Sequence, residues 1–276
     1  MRTVGFHLRF CTSIWQVVER ARQLNVACFQ SFLVFACPSG MVPITLEPDE
    51  FRRFVTDTTS LFTLRIAHGS YWINLSGRLP QGNMLLFMRE WSLARSLEFT
   101  HFVLHPGSAN GLESREKGID MLARAINRIL AKESEIKLVL ENTSHGNMTI
   151  GSDINDFALL KGKLNRPERL SICIDTSHAY AFGYDISNDI GQNAFLQLVD
   201  DSVGLSSVVL IHLNDTLEKC GSKIDKHALL PDGLIGETML RRFVQDSRLA
   251  NVPLVMELPI CSNEQEVAIL DKVRSW

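Results

Sequence analysis

The segment "GSKIDKHALLPDG" (residues 221–233) places a carboxylate and an imidazole two positions apart, at Asp225 and His227. In an extended chain, residues two apart point to the same side, so both groups face one point while Lys226 faces away. Carboxylates and imidazoles are both ligands of divalent metals. A single Asp-x-His pair is more often part of a solvated loop, so it predicts a metal site only if other ligands reach the same place.

Metal-competent side chains also end six successive apolar segments of the chain. These six residues are His68, His105, Glu141, Asp175, His212 and Glu257. His178 follows Asp175 by three residues, and the Asp225–His227 pair lies just downstream of His212. Together they are nine candidate ligands, five imidazoles and four carboxylates, without a thiolate. This composition favours Zn²⁺, Mn²⁺ or Fe²⁺ over a structural zinc bound by cysteines.

The charges of these residues give a reason to expect bound cations. Four carboxylates close together would repel one another, and burying unpaired charges costs several kcal/mol per group. Divalent cations between the carboxylates remove this repulsion. Nine ligands exceed the needs of one metal ion, so a bridging carboxylate would allow them to serve three.

Apolar, strand-like segments alternate along the chain with segments of helical periodicity, and these elements would position the candidate ligands. Eight apolar segments are typical of strands: "TVGFHL", "VACFQSFLVF", "LRIAH", "HFVLHPG", "KLVLEN", "LSICIDT", "SVVLIHLN" and "PLVMELP". Most are continuously apolar, as expected for parallel strands covered on both faces. Helical periodicity occupies the intervals at residues 13–25, 49–62, 83–98, 114–132, 153–164, 190–204, 235–248 and 262–274. In the first interval, one apolar stripe contains Ile14, Val17, Val18, Ala21 and Leu24.

Eight strand–helix alternations without a Pro/Gly/Ser-rich linker predict an α/β fold, a single (β/α)₈ TIM-barrel domain over residues 1–276. In such a barrel the reactive residues lie at the C-terminal ends of the strands. The predicted ligands fall there, so we expect a metal cluster at that end. A doubly wound open sheet is the alternative fold, but it favours a glycine-rich turn after the first strand, and "FHLRFCTS" contains none.

The overall composition limits the kind of partner. The formal net charge of −3 does not suggest a nucleic-acid binder, whose surface is usually basic. Three bound divalent cations would make the net charge positive and concentrate it at the barrel mouth. The six cysteines are scattered, and several lie in apolar, strand-like segments, which predicts buried, reduced thiols of a cytoplasmic protein and not a disulfide framework. The first residues lack the apolar region of a signal peptide, and no apolar run is long enough to span a membrane.

The other three histidines lead to different predictions. His101 lies at the start of its predicted strand, at the opposite end of the barrel, and is predicted to be structural. His145 lies in the polar loop after Glu141 and is predicted to be solvated. His7 ends the first strand and faces the predicted site, where it would support a ligand or contact substrate.

The segments around the candidate ligands resemble the successive signature blocks of a known family. These segments are "IAHGSYWINL", "LHPGS", "LVLENTS", "CIDTSHAYAFGYD", "IHLNDT", "GSKIDKH" and "PLVMELP". They are similar to the endonuclease IV family of apurinic/apyrimidinic endonucleases and follow the order of its blocks. That resemblance implies a zinc-dependent TIM barrel that acts in base excision repair. Its members cut the DNA backbone on the 5′ side of an abasic site, leaving a 3′-hydroxyl and a 5′-deoxyribose phosphate.

The resemblance also implies a role for each candidate residue. One zinc ion would be held by His68, His105 and Glu141; a second by Glu141, Asp175, His212 and Glu257; and a third by His178, Asp225 and His227. Glu141 would bridge two ions and orient the attacking water, with Mn²⁺ or Fe²⁺ as alternatives at some sites. Tyr71 matches a family tyrosine near the extruded nucleotide, and His7 is the second predicted substrate contact. The implied partner is double-stranded DNA containing abasic sites, in the cytoplasm at the nucleoid, without a membrane or an obligate protein partner.

Two segments depart from the family pattern. After the second strand, family members carry a polar, basic loop that penetrates DNA, whereas "FLVFACPSGMVP" has no basic residue between Phe32 and Pro43. Beyond His227, the family's turn of glycine, acidic residue and glycine is replaced by Leu-Leu-Pro-Asp before Gly233. Contacts to DNA phosphates fix the register of the protein on the duplex and supply much of the binding affinity. Both changes therefore affect how the substrate would bind.

Two other functions fit parts of the same pattern. A xylose-isomerase-like enzyme would isomerise or epimerise a small sugar on one or two metal ions of the same barrel. Such an enzyme has no need of His178, Asp225 and His227 together, so the third ligand set distinguishes the two enzyme classes. The remaining alternative is a metal-binding protein without catalysis.

Overall fold

Eight parallel strands form the centre of the molecule in a computed structural model that describes residues 2–37, 40–78, 80–131 and 134–276. The barrel strands are β1 (Val4–His7), β2 (Cys28–Phe32), β3 (Leu64–His68), β4 (His101–Leu104), β5 (Lys137–Glu141), β6 (Ser171–Asp175), β7 (Val208–His212) and β8 (Leu254–Met256). Each strand pairs with the next along the chain, and β1 pairs with β8 to close the barrel. The predicted (β/α)₈ fold is confirmed.

Helices cover the outside of the barrel. They are α1 (Trp15–Gln23), α2 (Pro48–Leu61), α3 (Pro80–Ser96), α4 (Arg115–Leu130), α5 (Asn155–Lys161), α6 (Thr176–Phe182), α7 (Asp189–Val203), α8 (Glu237–Gln245) and α9 (Asn263–Arg274). All five residues of the apolar stripe predicted for α1 are buried in the core between helices and strands. The sequence did not predict α6, because this short helix lies inside the loop that follows β6.

One layer of small and branched side chains fills the barrel interior. The strands β2 to β8 each contribute one residue to it: Cys28, Ile66, Val103, Val139, Cys173, Leu210 and Val255. On β1 the corresponding residue is Gly5, where a Cβ atom would lie 2.2 Å from the carbonyl oxygen of Cys28. Side chains two positions apart on a strand point the same way, so the next inward residue of every strand lies at the C-terminal mouth.

The segment predicted as one long second strand is divided in the structure. The barrel strand β2 ends at Phe32, where it pairs with His68, and the chain then leaves the barrel. Strands Val34–Cys37 and Gly40–Pro43 pair antiparallel above the rim, with Val34 opposite Pro43. We call these two strands the rim hairpin. The apolar run continues past Phe32 because the strand Val34–Cys37 pairs with Gly40–Pro43, whereas β2 pairs with β3.

The cysteines differ in their environments. Cys28 and Cys173, which lie in apolar segments, are buried in the barrel interior as predicted, whereas Cys11 and Cys220 are exposed. The exposed pair lies in loops outside the apolar strands. Among the described helices, none combines the length and apolarity required to cross a bilayer.

Candidate metal centre

The candidate ligands lie in one ring at the mouth of the barrel. Each strand-end ligand stands two residues beyond the interior layer, which places it on the inward face. His68, Glu141, Asp175 and His212 are the last residues of their strands, whereas His105 and Glu257 follow the ends of β4 and β8 by one residue. The ring therefore contains all six ligands that were predicted from strand ends.

Glu141 lies between the first two groups of ligands. Its Oε2 atom is 3.2 Å from His68 Nε2 and 3.3 Å from His105 Nε2. Its Oε1 atom is 3.2 Å from His212 Nδ1. Glu257 and Asp175 complete the second group, and the ligand atoms within each group lie within 4.8 Å of one another. One carboxylate thus presents a separate oxygen to each group, as a bridging ligand requires.

The third predicted group comes from α6 and the loop after β7. His178 Nε2 is 3.2 Å from Asp225 Oδ2, and His227 Nε2 is 3.4 Å from Asp225 Oδ1. Asp175 Oδ2 approaches His227 Nε2 at 3.7 Å from the other side. The third group therefore adjoins the second through Asp175, and all nine predicted ligands meet in one region.

The histidine rings are oriented by hydrogen bonds on the nitrogen that faces away from the centre. These bonds join His68 Nδ1 to Gly69 O (2.8 Å), His178 Nδ1 to Asn142 O (2.9 Å), His227 Nδ1 to Glu257 O (3.0 Å) and His212 Nε2 to Gln30 Oε1 (2.9 Å). Oxygen acceptors require a protonated nitrogen, so the opposite nitrogen carries a lone pair toward the centre. Ligating histidines in metal sites are held in this way.

Several buried atoms at the centre have no hydrogen-bond partner. They are Glu141 Oε1, His178 Nε2, His212 Nδ1 and His227 Nε2. Each is an electron-pair donor that faces other donors, an arrangement that costs free energy unless a cation lies among them. The donor set and its unsatisfied atoms therefore fit divalent metal ions.

Electrostatics at the centre favours the ionised forms of Glu141 and Asp225, whereas burial raises the pKa of Asp175. Burial alone would raise the pKa of Glu141, but the facing His212 and His105 rings hold that pKa well below its ordinary value. Burial also opposes ionisation of Asp225, yet the facing His178 ring, followed by His227, lowers the pKa of Asp225 to about 2. Both carboxylates are therefore available as anionic ligands at neutral pH.

Gln30 and His7 occupy the same ring as the ligands and contact one of them. Gln30 Nε2 donates to Glu257 Oε1 at 2.6 Å, and His7 Nδ1 lies 3.0 Å from the same oxygen. The His7 side chain is only 6% exposed. This position favours ligand support among the two predicted roles of His7, and a substrate contact stays a prediction. Gln30 was not predicted; a buried amide in the apolar segment "CFQSF" is the signal that would have found it.

Two asparagines also support the ligands without having been predicted. Asn214 donates from Nδ2 to Asp175 Oδ2 at 2.6 Å and accepts from the Glu257 backbone N–H at 2.8 Å. Asn142 accepts from the Asp175 N–H at 2.7 Å. Each follows a ligand by one or two residues, in the segments "LEN" and "HLN".

Tyr71 lies at the entrance to the centre. Its ring is 5.8 Å from the His68 ring and 5.6 Å from the His105 ring, and its side chain is largely exposed. The loop below it is anchored by Glu90 of α3, which accepts hydrogen bonds from the Ser70 N–H (2.9 Å) and hydroxyl (2.6 Å). Tyr71 is thus placed where a molecule entering the centre would meet it.

The remaining two histidines lie outside the ligand groups. His101 begins β4 at the opposite end of the barrel, with Nδ1 2.9 Å from Thr100 Oγ1. His145 is exposed, as predicted, but its Nδ1 is also 3.1 Å from Lys223 O. It therefore connects the loop after β5 to the loop that carries Asp225.

The departure beyond His227 is a well-defined turn. Asp215 is buried and accepts hydrogen bonds from the N–H groups of Ile235 (2.9 Å) and Gly236 (3.0 Å). Gly233 packs against the same carboxylate, where a Cβ atom would lie 2.2 Å from Asp215 Oδ1. The less polar residues of this turn thus keep a fixed path beside the third ligand group.

Comparison with known proteins defines the class of the molecule. The family described as xylose isomerase-like TIM barrels matches residues 18–275, so the closed parallel barrel with metal-competent residues at its mouth belongs to that class. A Halorhodospira halophila protein named probable endonuclease 4 is 33% identical over 268 residues, covering 94% of this chain and 89% of its own. The crystal structure of endonuclease IV from Thermus thermophilus has a TM-score of 0.84 at 30% identity, covering 99% of this chain and 98% of its own.

A third relative extends these similarities to an animal protein. It is named apurinic-apyrimidinic endonuclease, comes from Caenorhabditis elegans, and is 27% identical over 98% of this chain and 69% of its own. The chain belongs to the endonuclease IV family, and it is an enzyme of the nuclease class, as the sequence motifs predict.

Proposed function

We propose that this chain is a zinc-dependent phosphodiesterase that cleaves the DNA backbone 5′ to an abasic site in base excision repair. The observation that carries the proposal is the meeting of eight candidate ligands in three adjoining groups, with Glu141 between two of them and Asp225 in contact with His178 and His227 of the third. The names of the relatives support the same substrate, since one is an apurinic-apyrimidinic endonuclease. The products would be a 3′-hydroxyl and a 5′-deoxyribose phosphate.

Glu141 would orient the attacking water. Divalent ions held by the three groups would supply Lewis-acid activation of water and of the phosphate. Glu141 presents two oxygens that face different groups, so it could hold a water in line with phosphorus. The hydrogen bonds that fix the His68, His178, His212 and His227 rings keep the donors in place before substrate arrives, as electrostatic catalysis requires.

A polar cavity beside the centre would receive the sugar-phosphate backbone. It has a volume of about 340 Å³ and is lined by Tyr71, His105, His178 and Asp225 together with small polar side chains such as Ser108. An abasic nucleotide leaves the helix at low cost because it has lost its base pair. Bound cations would offset the formal charge of −3 and attract the phosphates to the mouth. A chromosomal substrate implies that the enzyme works in the cytoplasm at the nucleoid.

Metal analysis combined with incision of a defined duplex tests the proposal. The purified protein is expected to contain about three equivalents of zinc, as its three ligand groups require. It should cut a duplex carrying a tetrahydrofuran abasic analogue on the 5′ side and leave an end that a DNA polymerase can extend. Glu141→Gln should abolish incision. Substoichiometric metal together with an intact duplex would contradict the proposal.

Sugar isomerisation is the second candidate function, because the matching family is described as xylose isomerase-like. The third ligand group argues against it, since one or two metal ions suffice for that chemistry. Incubating the same zinc-loaded preparation with aldoses and ketoses separates the two. Sugar turnover without incision would establish the isomerase, whereas metal binding without either activity would indicate a non-catalytic protein.

A further inference from the structure

The third ligand group joins a buried helix to an exposed loop. His178 lies on α6 with 2% of its side chain exposed, whereas Asp225 lies in the loop after β7 with 34% exposed. Residues 221–226 around Asp225 are exposed or half-buried throughout. We call them the Asp225 segment. Apolar packing contributes little to holding this segment, so polar contacts must fix Asp225 opposite His178.

The last carbonyl groups of α6 hold the Asp225 segment. Carbonyl groups at this end of a helix have no partner within the helix itself. Tyr180 O accepts a hydrogen bond from the Gly221 N–H at 3.1 Å, and Ala181 O accepts from the Lys223 N–H at 2.9 Å. Phe182 O accepts from the Lys223 ammonium group. One short helix thus carries a ligand of the third group and also supports the segment that supplies another.

Lys223 contacts the elements on both sides of the segment. Its ammonium nitrogen lies 3.4 Å from the centroid of the Phe182 ring, which is a cation–π contact. On the other side, the carbonyl oxygen of Lys223 is 3.1 Å from His145 Nδ1, in the loop after β5. Its aliphatic chain lies beside Gly146, where a Cβ atom would be 3.7 Å from Lys223 Cδ. One residue therefore joins α6, the loop after β5 and the Asp225 segment.

The backbone of Lys223 is unusual for a lysine. Its φ angle is 63°, in the left-handed region that residues with a Cβ atom adopt at a cost. Glycine would avoid most of that cost. The reason for a lysine at this position therefore lies in the contacts of its side chain and not in its backbone conformation.

We propose that Lys223 is a positioning residue that sets the affinity of the third ligand group for its metal ion. The proposal rests on the phosphodiesterase function above, which assigns a zinc ion to this group. Lys223 precedes Asp225 by two residues, so its bonds to α6 hold Asp225 Oδ2 at 3.2 Å from His178 Nε2. His145 supports the same position through the Lys223 carbonyl group. Ligands that are already in place lose less conformational entropy when the ion binds.

The charge of Lys223 gives the proposal a definite sign. An ammonium group repels a nearby divalent cation, so Lys223→Met would tighten zinc binding if charge alone decided the affinity. Loss of positioning has the opposite effect and weakens zinc binding. Methionine keeps an unbranched side chain on the same left-handed backbone. Lys219→Met is the matched control, because it removes the same charge from an exposed residue of the same loop.

Competition with a chromophoric chelator measures the affinity of each zinc equivalent. We expect Lys223→Met to weaken binding of the third equivalent about tenfold, the effect of losing one hydrogen bond from a charged group. Lys223→Arg should retain the natural affinity, because a guanidinium group also donates to a carbonyl and stacks on a ring. The first two equivalents and the Tm of the metal-free protein should stay unchanged, since Lys223 is exposed.

Variants of His145 test the other side of the segment. His145→Ala removes the hydrogen bond to the Lys223 carbonyl group and should also weaken binding of the third equivalent. His145→Asn should restore most of the affinity, because its amide nitrogen can donate to the same oxygen. His145 is exposed, so neither replacement removes packing from the core.

The outcomes separate the positioning role from the proposed function. A third equivalent bound by Lys223→Met as tightly as by the natural sequence, or more tightly, would overturn the role of Lys223, and so would an equal loss at all three groups. Three zinc equivalents and incision of abasic duplex by the natural sequence would still support the phosphodiesterase in both cases. A natural sequence that neither binds a third zinc ion nor cuts the duplex would overturn both proposals. A loss confined to the third equivalent, and absent from Lys223→Arg and Lys219→Met, supports the positioning role.

Discussion

Gln30 shows how one buried amide fixes two candidate ligands. Its Oε1 accepts from His212 Nε2 at 2.9 Å, which leaves His212 Nδ1 unprotonated toward the centre. Its Nε2 donates to Glu257 Oε1 at 2.6 Å. An amide is suited to this position because it carries a donor and an acceptor on one planar group. Both contacted residues belong to the second ligand group.

We therefore predict that Gln30→Met lowers the zinc affinity of the second group by about 10–100-fold, the range found when partners of metal ligands are removed. Competition with a chromophoric chelator measures this affinity. Gln192→Met is the matched control, because Gln192 is also buried but bonds to Ile186 O and Met239 O, away from the ligands. Equal zinc retention by the two variants would contradict the role assigned to Gln30.

A second prediction at this scale concerns His101. Burial, followed by the nearby Lys137 charge, lowers the pKa of His101 from 6.5 to about 4. A lowered pKa in the folded state means that protonation favours unfolding. The contribution of neutral His101 to the free energy of unfolding is therefore complete above pH 6.5 and is lost as the pH falls toward 4. Between pH 7 and 5 the loss amounts to about 1–2 kcal/mol.

Urea unfolding of the chelator-treated protein at pH 7 and pH 5 measures this effect. His101→Gln should lose less stability than the natural sequence over the same interval, because its amide does not titrate. The metal ligands titrate equally in both proteins, so their contribution cancels in the comparison. An identical loss in both proteins would rule out His101 as the cause.

At the scale of elements, the third ligand group depends on a loop that is separate from the strand ends. Asp225 and His227 lie after β7 in a segment joined to the barrel by the antiparallel pair of Asp215–Thr216 with His227–Ala228. The first two groups take their ligands from strand ends. The third group can therefore be removed without disturbing the barrel.

We predict that Asp225→Asn releases about one equivalent of zinc and retains about two. The amide removes the anionic oxygens that face His178 Nε2 and His227 Nε2, whereas Glu141 and its partners are unchanged. Metal analysis after gel filtration gives the count, and Asp232→Asn in the same loop is the control. Loss of every metal ion, or of none, would contradict the independence of this group.

The elements also show which parts of the fold the sequence predicts. Continuous apolar runs predicted the barrel strands because strands covered on both faces need them, and the stripe of α1 predicted its buried face. The second strand was predicted too long because the rim hairpin is equally apolar, and that error concealed Gln30 as an inward residue. Periodicity along one segment does not reveal which neighbour the segment pairs with.

The candidate ligands were predictable for two reasons. Side chains alternate along a strand, and the C-terminal ends of all barrel strands meet at one mouth, so inward residues at the strand ends form one ring. The hydrogen bonds made by Asn142, Asn214 and Gln30 were not predictable from spacing. Their donors and acceptors come from different strand–helix units, so the contacts exist only after these units have packed together.

Across the whole molecule, the ligand groups connect strands β3 to β8 at one end of the barrel. Metal ions that bind only the folded chain stabilise it by mass action. We predict that exhaustive chelation lowers Tm by about 5–15 °C and that added zinc restores it, given the change of about 2–4 °C per kcal/mol typical of this size. Differential scanning calorimetry measures the change, and an unchanged Tm in the metal-free protein would contradict the coupling.

The pairing of β1 with β8 also has a consequence for the order in which the centre forms during synthesis. His68, His105 and Glu141 leave the ribosome well before Glu257, which follows the last strand of the barrel. The first group can therefore gather on an incomplete barrel, but the second lacks Glu257 until β8 has docked between β7 and β1. The second candidate ligand group would thus be complete only in chains whose barrel has closed, and an immature chain would lack the full candidate metal centre.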